Sequence, residues 1–121
     1  MIRYINCIKR AAEISSADFA RFWQDEIFVN MIKRTAELYK AEKWSMGLAL
    51  SVEANTTILE MQDSAPPFDG MIEYCWKNGS DLSEIFQSQD GVRLFQEMTD
   101  YQSRFVDLQS SPQFFMQTED E

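Results

Sequence analysis

Apolar residues in this chain recur at two spacings. In IRYINCIKR, Ile2, Tyr4 and Ile8 occupy one alternating parity and Ile5 and Cys7 the other, which reads as a strand. Ser15-Ser16-Ala17-Asp18 has the form of a capping box, so a helix is expected from there to about Tyr39. Phe19, Phe22, Trp23, Ile27, Met31 and Leu38 share its apolar stripe, with Glu26, Asn30 and Arg34 interleaved. KWSMGLALSVE reads as a second strand. ANTTILEMQDSAPPFDG reads as an irregular connection closed by Pro66-Pro67, with room for one helical turn around Ile58 to Met61. GMIEYCWKN makes a third strand, stopped by Asn78-Gly79. A short helix capped by Asn78 or Ser80 runs through Phe86, Gln89-Asp90-Gly91 interrupts, and a longer helix continues to about Arg104. Val92, Leu94, Phe95, Met98 and Tyr101 are its buried candidates, and PQFFMQTE offers a fourth strand.

The order β-α-β-β-α-β predicts one α+β domain over residues 1–121, ferredoxin-like, with a four-stranded antiparallel sheet and helices on one face. Two helices cover only one face of such a sheet, yet these strands are apolar on both: Ile72, Tyr74 and Trp76 against Met71 and Cys75 in the third. The uncovered patch needs a partner, and an identical sheet across a two-fold axis is the simplest one. A homodimer packed through its sheet faces, a dimeric α/β barrel, is therefore expected.

Composition narrows the chemistry. A length of 121 residues suits one domain, and 45% apolar and 13% aromatic content excludes a disordered chain. The formal charge of −9 without a basic stripe argues against nucleic acid and against an anionic membrane surface. No segment is an apolar membrane span or a signal peptide, and Cys7 and Cys75 read as buried thiols in a reducing compartment, so the cytoplasm is expected. Histidine is absent, which removes Ser-His-Asp and Cys-His catalysis and histidine-held metals or haem. No cofactor and no metal are expected. Proton transfer would rest on carboxylates, Tyr, Lys, Cys or water.

Four segments in order carry a family resemblance: MIRYINCIKR, SSADFARFWQDE with its S-x-x-x-F-x-x-x-W pattern, FDGMIEYCW with an Asp-Gly-x-x-Glu strand, and FVDLQSSPQFF. Together they span nearly the whole chain, leaving 53–67 unaligned, and the chain resembles an EthD-type member of the dimeric α/β-barrel superfamily. The resemblance implies a dimer and a small pocket bounded by sheet and helices. Relatives include proteins tied to degradation of ethers and aromatics, lactone isomerases, and polyketide cyclases or decarboxylases. Relatives also commonly carry W-x-x-x-H on the first helix. Here that histidine position is Ile27, and Val29 stands where a proline usually follows.

Candidate site residues each carry two readings. Glu26, next to the vacated histidine position, is either a general base in an apolar site or a surface partner of Lys33 or Arg34. Glu73 matches the family's strand glutamate; it binds substrate or pairs with Arg3, Lys9 or Arg104. Tyr74 falls where a lactone-isomerase relative has a catalytic cysteine, and Cys75 is one residue on, which reverses its face. Cys75 and Cys7 otherwise read as inert thiols. Trp23, Ile27, Trp44 and Cys75 are pocket-wall candidates, with core packing as the alternative for the tryptophans. Asp107 and Ser111 match the late motif and suit a turn. Three functions follow: an EthD-like, cofactor-independent enzyme or accessory of oxidative catabolism acting on a small hydrophobic or aromatic molecule through Glu73, Tyr74 and Glu26; a ligand-binding homodimer that has lost catalysis; and a structural dimer with a filled interior.

Overall fold

The computed structural model describes residues 1–50, 53–63, 65–80 and 82–119. Its four strands, β1 (Ile2–Ile8), β2 (Lys43–Leu48), β3 (Gly70–Trp76) and β4 (Gln113–Gln117), form one sheet in the order β2-β3-β1-β4. Every neighbouring pair is antiparallel, and the topology is the expected ferredoxin-like one. Helices α1 (Ser16–Gln24) and α2 (Glu26–Leu38) join β1 to β2, and α3 (Glu53–Gln62) joins β2 to β3. Helices α4 (Leu82–Gln87) and α5 (Gln89–Gln102), with a 3-10 turn at Leu108–Ser110, lead to β4. Residues 51 and 52 of the expected second strand lie outside the described residues. No helix among the described residues is long and apolar enough to cross a membrane.

Ser15 caps α1 as its sequence pattern requires, its Oγ accepting from the Asp18 amide at 3.1 Å. The helix does not run on to Tyr39. Asp25 is extended (φ −62°, ψ 134°), ends α1 and at once caps α2, its carboxylate accepting from the Ile27 amide at 2.8 Å. A short acidic side chain competes for nearby backbone donors, and here that competition stops one helix and starts the next. The break also turns the second helix about its axis. Phe28, Ile32 and Ala36 become its buried positions in place of the unbroken stripe, and Ile27 is 58% exposed.

Two further expectations are corrected. Residues 53–62 form a helix instead of an irregular link, and none of them is buried. Gly91 does not interrupt the late helix but sits in its first turn, its amide donating to the capping Ser88 Oγ at 3.0 Å. A Cβ on Gly91 would lie 2.1 Å from the Ile85 carbonyl oxygen, so the glycine permits the close approach of α4 and α5. Along α5, Leu94 and Tyr101 are buried and Met98 half-buried, while Val92 and Phe95 are exposed.

Residues opposite in register share a sheet face. Tyr4 stands opposite Tyr74 and Phe115, and Asn6 opposite Ile72 and Gln113. This face meets the helices, where Ile8, Phe19, Trp23, Phe28, Ile32 and Phe105 anchor the core. On the other face Ile5, Cys7, Met71, Phe114 and Met116 surround Arg3, Glu73 and Cys75. Among the described residues no element covers it, and Met71, Phe114 and Met116 remain 38%, 43% and 41% exposed.

Candidate functional site

Between the sheet and the helices lies a cavity of about 50 Å³, room for roughly four water-sized spheres. Tyr4 and Asn6 of β1 with Ile72 and Tyr74 of β3 make its floor; they meet there because the β1–β3 register sets them side by side. Thr35 of α2 and Tyr39 just beyond it make one wall. Leu94, Met98 and Gln102, four apart along α5, make the other. Phe95 and Gln113, both exposed, stand at its mouth.

Every hydroxyl in this cavity already donates a hydrogen bond. Tyr4 Oη donates to Gln113 Oε1, Tyr39 Oη to the Gly91 carbonyl at 3.3 Å, and Tyr74 Oη to the Ile32 carbonyl at 3.4 Å. Thr35 and Thr99 bond back along their own helices at 2.8 and 2.9 Å. Two amides differ. Asn6 and Gln102 are 4% and 3% exposed, and Asn6 Oδ1 and Gln102 Nε2 have no hydrogen-bond partner. An unpaired buried polar atom costs about 1–3 kcal/mol, so these two amides stand out in an otherwise satisfied interior.

Among the described residues no carboxylate, lysine or arginine lines this space. Burial, reinforced by the neighbouring phenols, pushes the Tyr4 pKa well above its ordinary value of 10.0. Burial does the same for Tyr74, against a hydrogen bond from Thr35 that lowers it, and for Tyr39. These phenols are hydrogen-bonding groups at neutral pH and weak proton acceptors. Among the described residues no three His, Cys, Asp or Glu side chains are grouped to hold a metal.

The residues singled out in the sequence are scattered over several places. Tyr74 is in the cavity. Glu73 and Cys75 are on the opposite sheet face, where Arg3 Nη1 bonds the Glu73 carboxylate and reaches Cys75 Sγ at 3.0 Å. The Cys75 thiol donates to Glu73 Oε1 at 3.2 Å. Burial first, then the bond and charge of Glu73, raises the thiol pKa above 9.0, with Arg3 and Lys43 opposing. Glu26 is exposed at the start of α2, beside exposed Ile27. Trp23 is buried in the core, stacked on Phe19 and seated against Gly70, where a Cβ would lie 2.7 Å from the indole. Trp44 is opposite Tyr74 on edge strand β2, 37% exposed. Asp107 and Ser111 hold the turn before β4: Asp107 accepts from the Ser110 amide, and Ser111 Oγ donates to the Asp107 carbonyl at 2.7 Å.

Asn6 and Gln102 were not anticipated, although a signal existed. Asn6 falls on the parity of Ile2, Tyr4 and Ile8, and Gln102 completes a Leu94–Met98 stripe at helical spacing. Each is a polar residue where periodicity demands an apolar one.

No family model matches the chain, and no curated protein matches it. Solved structures do. A protein from Arabidopsis thaliana matches at a TM-score of 0.60 and 7% identity, covering 100% of this chain and 98% of its own. A candidate antibiotic biosynthesis monooxygenase from Deinococcus radiodurans matches at 0.55 and 11% identity, covering 100% and 95%. A Bacteroides fragilis protein of unknown function, described as dimeric with a ferredoxin-like fold, matches at 0.55 and 10% identity, covering 97% and 95%. At such identities the likeness establishes the ferredoxin-like fold and leaves activity open.

Proposed function

We propose that this chain is an EthD-like protein that pairs with a second copy, sheet against sheet, and holds a small organic molecule in the helix–sheet cavity of each subunit. The cavity carries the reading: it is bounded by both layers of the fold and lined mainly by aromatic and apolar side chains with a few hydroxyls and amides. The apolar outer face supports the dimer, because Met71, Phe114 and Met116 are each about two-fifths exposed and covering that remainder contributes roughly 0.6–1.2 kcal/mol per residue. The dimeric description of the Bacteroides neighbour agrees with it.

Binding without acid–base catalysis is the reading we favour over an enzyme that moves protons through Glu73, Tyr74 and Glu26. The Tyr74 phenol has a raised pKa, the Glu73 carboxylate is bonded to Arg3 across the sheet, and Glu26 lies on the surface.

Native mass spectrometry on gently purified protein tests both halves. The expected species is a dimer of 14.2 kDa subunits with a small molecule retained in each, and Met116→Glu shifts it to a monomer. A wild-type monomer at micromolar concentration would end the paired reading. Conversion of the retained molecule that stops in Glu73→Gln would restore the enzyme reading.

A further inference from the structure

We propose that the two sheets meet with their edge strands exchanged, β4 of each copy lying over β2 of the other, so that Phe114 of one copy seats in a dent at Ser45 and Gly47 of its partner copy. This rests on the reading of a sheet-to-sheet pair and fixes its geometry. The register gives the outer face its relief. On one edge β4 presents Phe114 and Met116, both exposed; on the opposite edge β2 presents Ser45 and Gly47 beyond Lys43. Phe114 shares a cross-strand row with Ser45, through Ile5 and Glu73, and Gly47 is one row away, opposite Met71. A shallow hollow of about 270 Å³ lies there, lined by Gly47, Cys7, Leu48, Phe68 and Met71 among others. The chain has no need of its own for this glycine: its φ is not positive, and an added Cβ would meet nothing within 4 Å. Glycine inside a strand weakens it, and close approach of another group is a common reason for keeping one.

Two-fold axes that bring this face onto itself run in the plane between the sheets. Packed sheets stand about 10 Å apart, so bulk on one must meet a low place on the other. An axis across the strands lays β4 on β4, crowding Phe114 and Met116 against their copies, and leaves the dent without a bulky apolar side chain to fill it. An axis along the strands, passing between β1 and β3, exchanges the edges of the order β2-β3-β1-β4 and sets the high edge on the low one. It also puts the Arg3–Glu73 pair of each copy near the middle of the interface, where its charges are already matched within the subunit.

Sedimentation velocity over a dilution series of the purified full-length protein reads the dimer dissociation constant, and far-UV circular dichroism reads the fold. Gly47→Leu is expected to fold as the wild type does, since the new side chain enters open space. It is expected to raise the dissociation constant about a hundredfold, because the two-fold repeats each clash. Phe114→Ala raises it as well, by emptying the dent. Joined in one chain, the two substitutions bring it back toward the wild-type value, because the bulk has only moved to the strand that it meets.

A Gly47→Leu dimer as tight as the wild type overturns the exchanged arrangement while leaving the pair. Losses that merely add in the double variant separate positions 47 and 114 and overturn it equally. Loss of the circular dichroism signal in Gly47→Leu would show that the chain itself needs the space, and the dent would be no socket. A wild-type chain that stays monomeric at micromolar concentration overturns the pairing itself.

Discussion

Asn6 and Gln102 occupy positions where the surrounding pattern calls for apolar side chains, and single residues of this kind decide what the interior can hold. The sequence makes such exceptions visible but does not rank them: Glu73 breaks the pattern of β3 just as sharply. Register separates the two cases, since Glu73 faces away from the helices and meets Arg3, whereas Asn6 faces them and is buried with its Oδ1 unpartnered. Gly91 is a second residue whose meaning depends on a neighbour distant from its own helix turn. An exposed helical glycine is normally improved by alanine, by up to about 1 kcal/mol. Here the added Cβ meets the Ile85 carbonyl at 2.1 Å, so Gly91→Ala is expected to destabilise by about 1–3 kcal/mol, read from urea unfolding. A variant as stable as the wild type would show that α4 moves aside freely.

At the level of elements, all four strands were legible, because strand parity and turn residues are local properties. The helices were legible where apolar side chains mark the face turned to the core, even in short α4, whose Leu82, Ile85 and Phe86 are partly buried. α3 has no buried residue, so no periodic apolar stripe marks it in ANTTILEMQ. The break between α1 and α2 was hidden for the opposite reason: Phe19, Trp23, Phe28 and Ile32 are so apolar that a continuous stripe fits them nearly as well. Asp25 resolves the ambiguity by capping. Asp25→Ala removes the acceptor of the Ile27 amide and is expected to cost about 0.5–2 kcal/mol in chemical denaturation, while Asp25→Asn or Asp25→Ser retains most of the stability. If alanine is tolerated without loss, the break is set by packing of Trp23 and Phe28 and not by the cap.

For the whole molecule, the order of elements anticipated the topology, and strands apolar on both faces with too few helices anticipated the uncovered face, because that balance depends on area and not on any contact. What it did not locate is the cavity itself, which arises where β1, β3 and α5 converge; its polar residues show in the sequence only as exceptions to periodicity. The same convergence gathers phenols. Tyr4, Tyr39, Tyr74 and Tyr101 all have pKa values raised above 10.0, with burial the leading cause in each. The sign follows directly. Below pH 10 these groups are protonated whether the chain is folded or not, and they leave stability unchanged with pH. Above it the unfolded chain releases its phenolic protons first, so rising pH favours unfolding until the folded pKa values are passed. The melting temperature should therefore show no tyrosine-driven loss between neutral pH and about pH 10, then fall steeply, with the phenolate absorbance step coinciding with loss of structure. Replacing Tyr74 by Phe should move that fall to higher pH, since it removes one of the buried protons that drive it. Phenols that ionise near pH 10 in a protein still fully folded would mean that water reaches this interior freely, and the enclosed cavity would go with it.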